Sequence, residues 1–159
     1  MGSAATATGR ALAEALGLSF HDTDEAIERA TGRTVADIVV DGEAGFRALE
    51  RSAAQRALTE ERGVVSLGSG AALDPQAEPL LRGRVVVFLD VRIADAAKRL
   101  GLDQPRPPLG LNPRAAWTTM MNERRPAYAR VSALRVDTSG KSPEQVADEI
   151  ATLLSPESM

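Results

Sequence analysis

Two aspartates and a set of arginines carry most of the chemical potential in this chain. Asp22 and Asp24 stand on either side of Thr23. Carboxylates at that spacing can divide the work: one holds a divalent cation through hard oxygen atoms, the other takes a proton from a hydroxyl. Arg47, Arg106, Arg124 and Arg125 supply guanidinium forks, which meet carboxylates and phosphates with two parallel charge-assisted bonds. Gly68-Ser69-Gly70 offers backbone N–H groups with little side-chain cover. At the front, Met1-Gly2-Ser3-Ala4-Ala5-Thr6-Ala7-Thr8-Gly9-Arg10 leads into an apolar-periodic helix, Ala11 to Leu16, as a phosphate-cradling loop does. No lysine follows its glycine region, and no strand-like run precedes it.

Each of these features also has a plain structural reading. Asp-Thr-Asp can be a helix-capping turn. Gly-Ser-Gly can be a tight turn after a strand. Arg47 can pair along its own helix with Glu43 or Glu50. Arg124-Arg125-Pro126 can be a solvated helix start. His21, the only histidine, is assigned no catalytic role.

The composition narrows the chemistry. The 159 residues make about one domain, 1–159, with 43% hydrophobic, 26% charged and only 3% aromatic residues. The core must therefore be built from Ala, Val, Leu and Ile. A net charge of −3 argues against nucleic acid or an anionic membrane as partner. With no cysteine, thiolate catalysis and cysteine-held zinc are excluded. A metal, if used, would be a hard ion on oxygen ligands, which points to magnesium. No apolar run approaches about 18 residues, so no membrane span is expected. The front lacks a basic n-region and an h-region, so a cytoplasmic protein is expected. No self-association stripe stands out, which favours a monomer.

The elements that must position these groups alternate. Leu18–His21, Gly63–Leu67, Val85–Leu89 and Ala133–Asp137 read as strands, and longer helical periods lie between them. That pattern predicts an α/β fold with a parallel sheet flanked by helices. Ligands in such sheets bind beyond the carboxyl ends of the strands, where Asp22, Asp24 and Gly68–Gly70 fall. Thr34 reads as an N-cap before Ile38, and Glu43–Leu58 as a helix with Phe46, Leu49, Ala53, Ala54 and Leu58 inward. Asp74-Pro75 and Ser142-Pro143-Glu144-Gln145 read as helix starts, the second with a capping-box glutamine. The proline-rich stretch from Asp103 to Asn112 reads as a lid loop, about 103–122 in all. Trp117, Met120 and Met121 would come next on a short helix with a partly exposed apolar side.

The order and spacing of these motifs resemble shikimate kinase over nearly the whole chain. The resemblance is carried by Thr8 to Gly17, Asp22-Thr23-Asp24, the junction Thr31 to Ile38, and Gly42-Glu43-x-x-Phe46-Arg47-x-x-Glu50. It continues through Leu67 to Ala71, Arg106-Pro107, Arg124-x-Pro126-x-Tyr128 and Val136-Asp137-Thr138. It implies a P-loop kinase that moves the γ-phosphoryl group of ATP, with magnesium, to the 3-hydroxyl of shikimate, in aromatic amino acid biosynthesis. By that resemblance Asp24 and Arg106 are catalytic, and Asp24, Arg47, Gly68, Ser69, Gly70 and Arg124 bind shikimate. Gly2, Ser3, Thr6, Ala7 and Arg106 bind nucleotide, and Thr6 and Asp22 bind magnesium.

The chain departs from that family in three ways. Ser69 stands where the family usually has a glycine; if the position needed φ > 0, substrate affinity would fall modestly, and the alternative is that its hydroxyl donates a new bond. Ala4 stands in place of a loop glycine and Ala5 in place of the loop lysine, a loss expected to cost at least about 10²–10³ in rate. That leaves as alternative a pseudo-kinase that binds shikimate or a similar anion without turnover. Third, the usual first, central strand is missing from this chain. Four buried apolar side chains at about 1.5–3 kcal/mol each come to about 6–12 kcal/mol, similar to a domain's net stability of about 5–15 kcal/mol. Either the flanking strands close the gap, or the protein is less stable than its relatives, or the start at Met1 is placed too late, which would not explain Ala5.

Overall fold

The structure, a computed structural model, describes residues 4–100 and 112–155. Helix α1 (Ala5–Leu16) begins directly after Ala4 and ends at Gly17, whose φ of 65° lets its N–H turn back onto the Ala13 and Glu14 carbonyls. Strand β1 (Phe20–Asp22) feeds directly into α2 (Thr23–Thr31), because Asp22 caps that helix through its side chain. Helices α3 (Val35–Asp41) and α4 (Glu43–Glu60) come next, then β2 (Val64–Ser66), a single 3-10 turn (Ala71–Leu73) and the short α5 (Glu78–Leu81). Strand β3 (Val87–Asp90), α6 (Ile93–Leu100), α7 (Pro113–Val131), β4 (Leu134–Asp137) and α8 (Pro143–Leu154) complete the described chain.

All strand pairing is parallel, as the alternating pattern predicts. β1 pairs with β2, Asp22 opposite Ser66, and β3 pairs with β4, Asp90 opposite Asp137. Level carboxyl ends within each pair bring Thr23 and Asp24 out beside Leu67–Gly70. The two pairs form separate sheets, with no ladder between β2 and β3. The flanking strands therefore do not close the gap between them. Helix packing bridges it instead: Leu12 of α1 and Val146, Ala147 and Ile150 of α8 share one cluster with Val136. Val64 of β2 and Val87 and Leu89 of β3 pack against that cluster. Val64, Val65 and Ser66 are only half-buried.

The local signals fare according to how local they are. Thr34 caps α3 by accepting from the Asp37 N–H at 3.1 Å. Ser142 and Gln145 close a full capping box on α8. Since α8 carries much of the cluster that joins the two sheets, Ser142→Ala is expected to lower unfolding free energy by about 1 kcal/mol, read as a lower urea midpoint at unchanged slope.

Other expectations are corrected. β1 begins two residues later than the apolar run suggests. Val85 lies outside β3 and is 62% exposed. Asp74 is not a helix cap; its Oδ1 accepts from the Gln76 N–H in a turn, and α5 begins only at Glu78, after Ala77. The Leu49 side chain lies at the exposed edge of its helix while Phe46, Ala54 and Leu58 are buried. Most of the lid loop lies outside the described residues. In place of the expected short helix beyond it stands the 19-residue α7, capped by the Asn112 side chain and carrying Pro126 within it. Trp117 (5% exposed) and Met121 (3%) are core, packed with Phe88, Val91 and Ala96. Arg124-Arg125-Pro126 is thus helix interior rather than a helix start. A third cluster, Ile27, Ile38 and Phe46, fixes α2 and α3 against α4 and so sets where Arg47 and Glu50 emerge.

Candidate active site

The site begins where α1 meets the end of β1. Thr6, in the first turn of α1, donates its hydroxyl to Asp22 Oδ2 at 2.6 Å. The other carboxylate oxygen, Oδ1, accepts from the Asp24 and Glu25 N–H groups at 2.8 and 3.0 Å. Asp22 therefore realises its capping reading through one oxygen, while the other accepts from Thr6. Ala7 is exposed beside them. Ala4 precedes the helix with φ 60° and ψ 42°, the left-handed conformation that glycine adopts without cost. Among the described residues no side chain caps α1 and its first turn holds no acidic residue of its own; the Asp22 carboxylate meets it at Thr6. Gly2, Ser3 and Arg106 lie outside the described residues.

Beside this corner, Thr23 is fully buried and stitches β2 to α2. Its Oγ1 accepts from the Gly68 N–H at 2.9 Å and donates to the Ser66 carbonyl at 3.3 Å. Across from it, Glu50 is 2% exposed and accepts from the Gly70 N–H at 3.0 Å. Arg47 donates to the same Glu50 carboxylate at 2.6 Å and reaches Glu43 at 3.6 Å. The helix-pair reading of Arg47 is thus realised, and the pair sits within the site. Burial works against the Arg47 charge, yet the bond and charge of Glu50, with Glu43, hold its pKa above the ordinary arginine value.

The two glycines let the Glu50 and Arg47 side-chain ends lie close against the turn. A Cβ on Gly68 would run into Glu50 Oε1 and lie 3.1 Å from Asp24 Oδ1; one on Gly70 would run into Arg47 Nη1. Ser69 between them is not in the left-handed region, so the strain considered for a serine there does not arise. Its carbonyl accepts from Tyr128 Oη at 2.5 Å, and its hydroxyl accepts from Arg124 Nη1 at 3.3 Å. Arg125, the neighbour of Arg124, turns away to Asp90 and Asn122.

Asp24 completes the arrangement. Its Oδ1 is buried and without a hydrogen-bond partner among the described residues. Burial first, then the charges of Asp22, Glu50 and Glu28, push its pKa up from 3.8 to about 6, with Arg47 pulling the other way. The structure so joins Thr6, Asp22, Asp24, Glu50, Arg47, Gly68–Gly70 and Arg124 in one chain of contacts. Thr23, Glu50 and Tyr128 hold that chain together. The sequence shows them only as a polar residue between two aspartates, a possible helix pair and a motif tyrosine. Among the described residues no group of three or more His, Cys, Asp or Glu is arranged to hold a metal. Thr6 Oγ1 with Asp22 Oδ2 is a two-oxygen corner, which fits a hard cation that takes its remaining ligands from water and phosphate.

The elevated Asp24 pKa has two consequences of opposite sign. Only the ionised carboxylate can accept a proton, so any reaction in which Asp24 acts as base is expected to quicken as pH rises through about 6. The folded state binds this proton more tightly than the unfolded chain. The group therefore favours the fold at low pH and loses that contribution as pH rises from about 4 through 6. Activity and thermal stability measured across pH 4.5–8 check both slopes, and Asp24→Asn should flatten the activity limb near 6.

Parallel strands flanked by helices, a helix start turned toward the strand ends and an acidic pair beside it define a P-loop-type small-molecule kinase. The family model described as shikimate kinase matches residues 1–155. A shikimate kinase of Thermobifida fusca is 51% identical over 151 residues, 94% of this chain and 88% of the relative. One of Salinispora arenicola is 47% identical over 154 residues, 96% of this chain and 92% of the relative. Among solved structures, the shikimate kinase of Acinetobacter baumannii in complex with shikimate superposes with a TM-score of 0.83 at 32% identity, covering 97% of this chain and 88% of the other. The enzyme of Bacteroides thetaiotaomicron gives 0.81 at 27% identity, covering 97% and 93%. The chain belongs to the shikimate kinase family, and so to the phosphotransferases.

Proposed function

We propose that this protein phosphorylates the 3-hydroxyl of shikimate with ATP and magnesium, acting as a cytoplasmic monomer on small molecules. The observation that carries the reading is the joining of Asp24, Arg47 and Arg124 through one Gly-Ser-Gly turn. Arg47 and Arg124 approach that turn from α4 and α7, as two forks on one carboxylate would. Asp24, with an elevated pKa and an unpaired buried oxygen, receives the hydroxyl and takes its proton as the new P–O bond forms. The N–H groups at the start of α1 receive the phosphates beside Ala7, and Gly2 and Ser3 are assigned to the nucleotide by the family resemblance alone. Thr6 and Asp22 would hold magnesium, which when bound neutralises charge on the phosphate oxygens. Arg106 is assigned to the transferring phosphoryl group. The relatives do not favour the alternative of binding without turnover.

Phosphorus NMR of the protein with shikimate and magnesium-ATP tests the reading. The expected product is ADP and one phosphomonoester at the 3-position. Absence of that ester from a folded sample at high protein concentration would overturn it.

A further inference from the structure

Ser69 is the point where the two halves of the pocket meet. On one side, its neighbours Gly68 and Gly70 are tied by their N–H groups to Thr23 and Glu50. On the other, α7 grips Ser69 twice. Tyr128 donates to its carbonyl at 2.5 Å and Arg124 to its hydroxyl at 3.3 Å. Arg124 and Tyr128 are four residues apart, one turn on the same helix face.

The two arginines assigned to the substrate carboxylate are held in different ways. Arg47 leans on Glu50 and Glu43, whose charges offset its own. Among the described residues Arg124 has no carboxylate within ion-pair distance; what it touches is the neutral Ser69 hydroxyl. A neutral acceptor orients a guanidinium without cancelling its charge. It also leaves the hydroxyl proton free for a second acceptor on the ligand. A long arginine side chain held before the ligand arrives loses less rotamer freedom on binding.

We infer that Ser69 is a positioning residue for Arg124: its hydroxyl sets the guanidinium toward the substrate carboxylate and leaves that charge available. The inference rests on the proposed function and deepens it. It makes carboxylate recognition depend on a side chain within a turn whose two glycine N–H groups are already taken by Thr23 and Glu50.

The test is calorimetric titration of the wild type, Ser69→Ala and Ser69→Thr with shikimate. A neutral analogue that carries a hydroxymethyl group in place of the carboxylate is titrated alongside. Ser69 has ordinary backbone angles and is half-buried, so both variants should fold. The expected result is about three- to tenfold weaker shikimate binding in Ser69→Ala, no change for the neutral analogue, and recovery in Ser69→Thr. In kinetics the loss should fall on KM for shikimate and not on kcat. Equal shikimate affinity in Ser69→Ala and wild type would overturn the inference alone. So would an equal loss for the neutral analogue, which would mark a general change in the turn. A wild type that binds neither compound would overturn the functional reading, and this inference with it.

Discussion

Replacing Ala5 with lysine is expected to raise kcat for shikimate phosphorylation by about 10²-fold or more. Ala5 is the first residue of α1, directly before the Thr6 hydroxyl that meets Asp22. A lysine there starts beside the phosphate approach, where a cation acts on charge that builds during transfer and has no water to reorganise. The N–H groups of α1 already attract an anion, but partial charges at a helix end are no substitute for a full positive charge on the outer phosphates. The added cation opposes the helix dipole, so a stability loss of about 0.3–1 kcal/mol accompanies the gain. Ala4 limits the same loop differently. Its left-handed conformation costs a residue with a Cβ about 1–2 kcal/mol, so Ala4→Gly in the same background should recover the loss. Rates of ADP release with and without shikimate, and melting temperatures of the single and double variants, measure both effects. A kcat for Ala5→Lys within threefold of wild type would mean that the loop lysine has no role in this chain.

The second large effect belongs to Asp24. Asp24→Asn keeps shape and polarity but removes the proton acceptor, and kcat should fall by about 10²–10⁴-fold. Stability should move the other way. The ionised carboxylate is disfavoured in its place by burial and by Asp22, Glu50 and Glu28, and a neutral amide relieves that repulsion. A variant that melts higher and turns over far more slowly is the signature of a group kept for chemistry rather than for the fold. A kcat within tenfold of wild type, or a lower melting temperature at pH 7.5, would remove Asp24 from its assigned role.

The parts of this molecule that are legible in sequence are those decided by neighbours a few residues away. Thr34 and Ser142 announce their helices because a cap is a contact between a side chain and a backbone N–H three residues on. Asp22 is legible for the same reason, since its capping oxygen serves Asp24 and Glu25. The parallel pairing of β2 with β1 and of β3 with β4 accords with the alternation of strands and helices. Glu50 is harder. Its spacing from Arg47 shows a helix pair, but its hold on Gly70, twenty residues away, depends on how α4 packs against the end of β2. Tyr128 reaches Ser69 over a still longer separation, and the sequence marks it only as the last residue of Arg124-x-Pro126-x-Tyr128.

Trp117 and Met121 mislead for a related reason. A proline-rich stretch precedes them, and such composition usually runs over a surface. Burial is decided instead by the face of α7 that meets Phe88, Val91 and Ala96, residues from a distant strand and helix. The break between β2 and β3 has no signal in the residues of either strand. That α1 and α8 span it through the Leu12–Ile150 cluster is a property of the packed chain.

Titration of the folded protein with shikimate, monitored by calorimetry and repeated with Arg47→Met and Arg124→Met, bears most directly on the convergence of Asp24, Arg47 and Arg124 on one ligand. Saturable binding in the wild type, weakened at least about tenfold by either substitution, is expected. Binding that survives both substitutions unchanged, or no binding by the wild type, would contradict it.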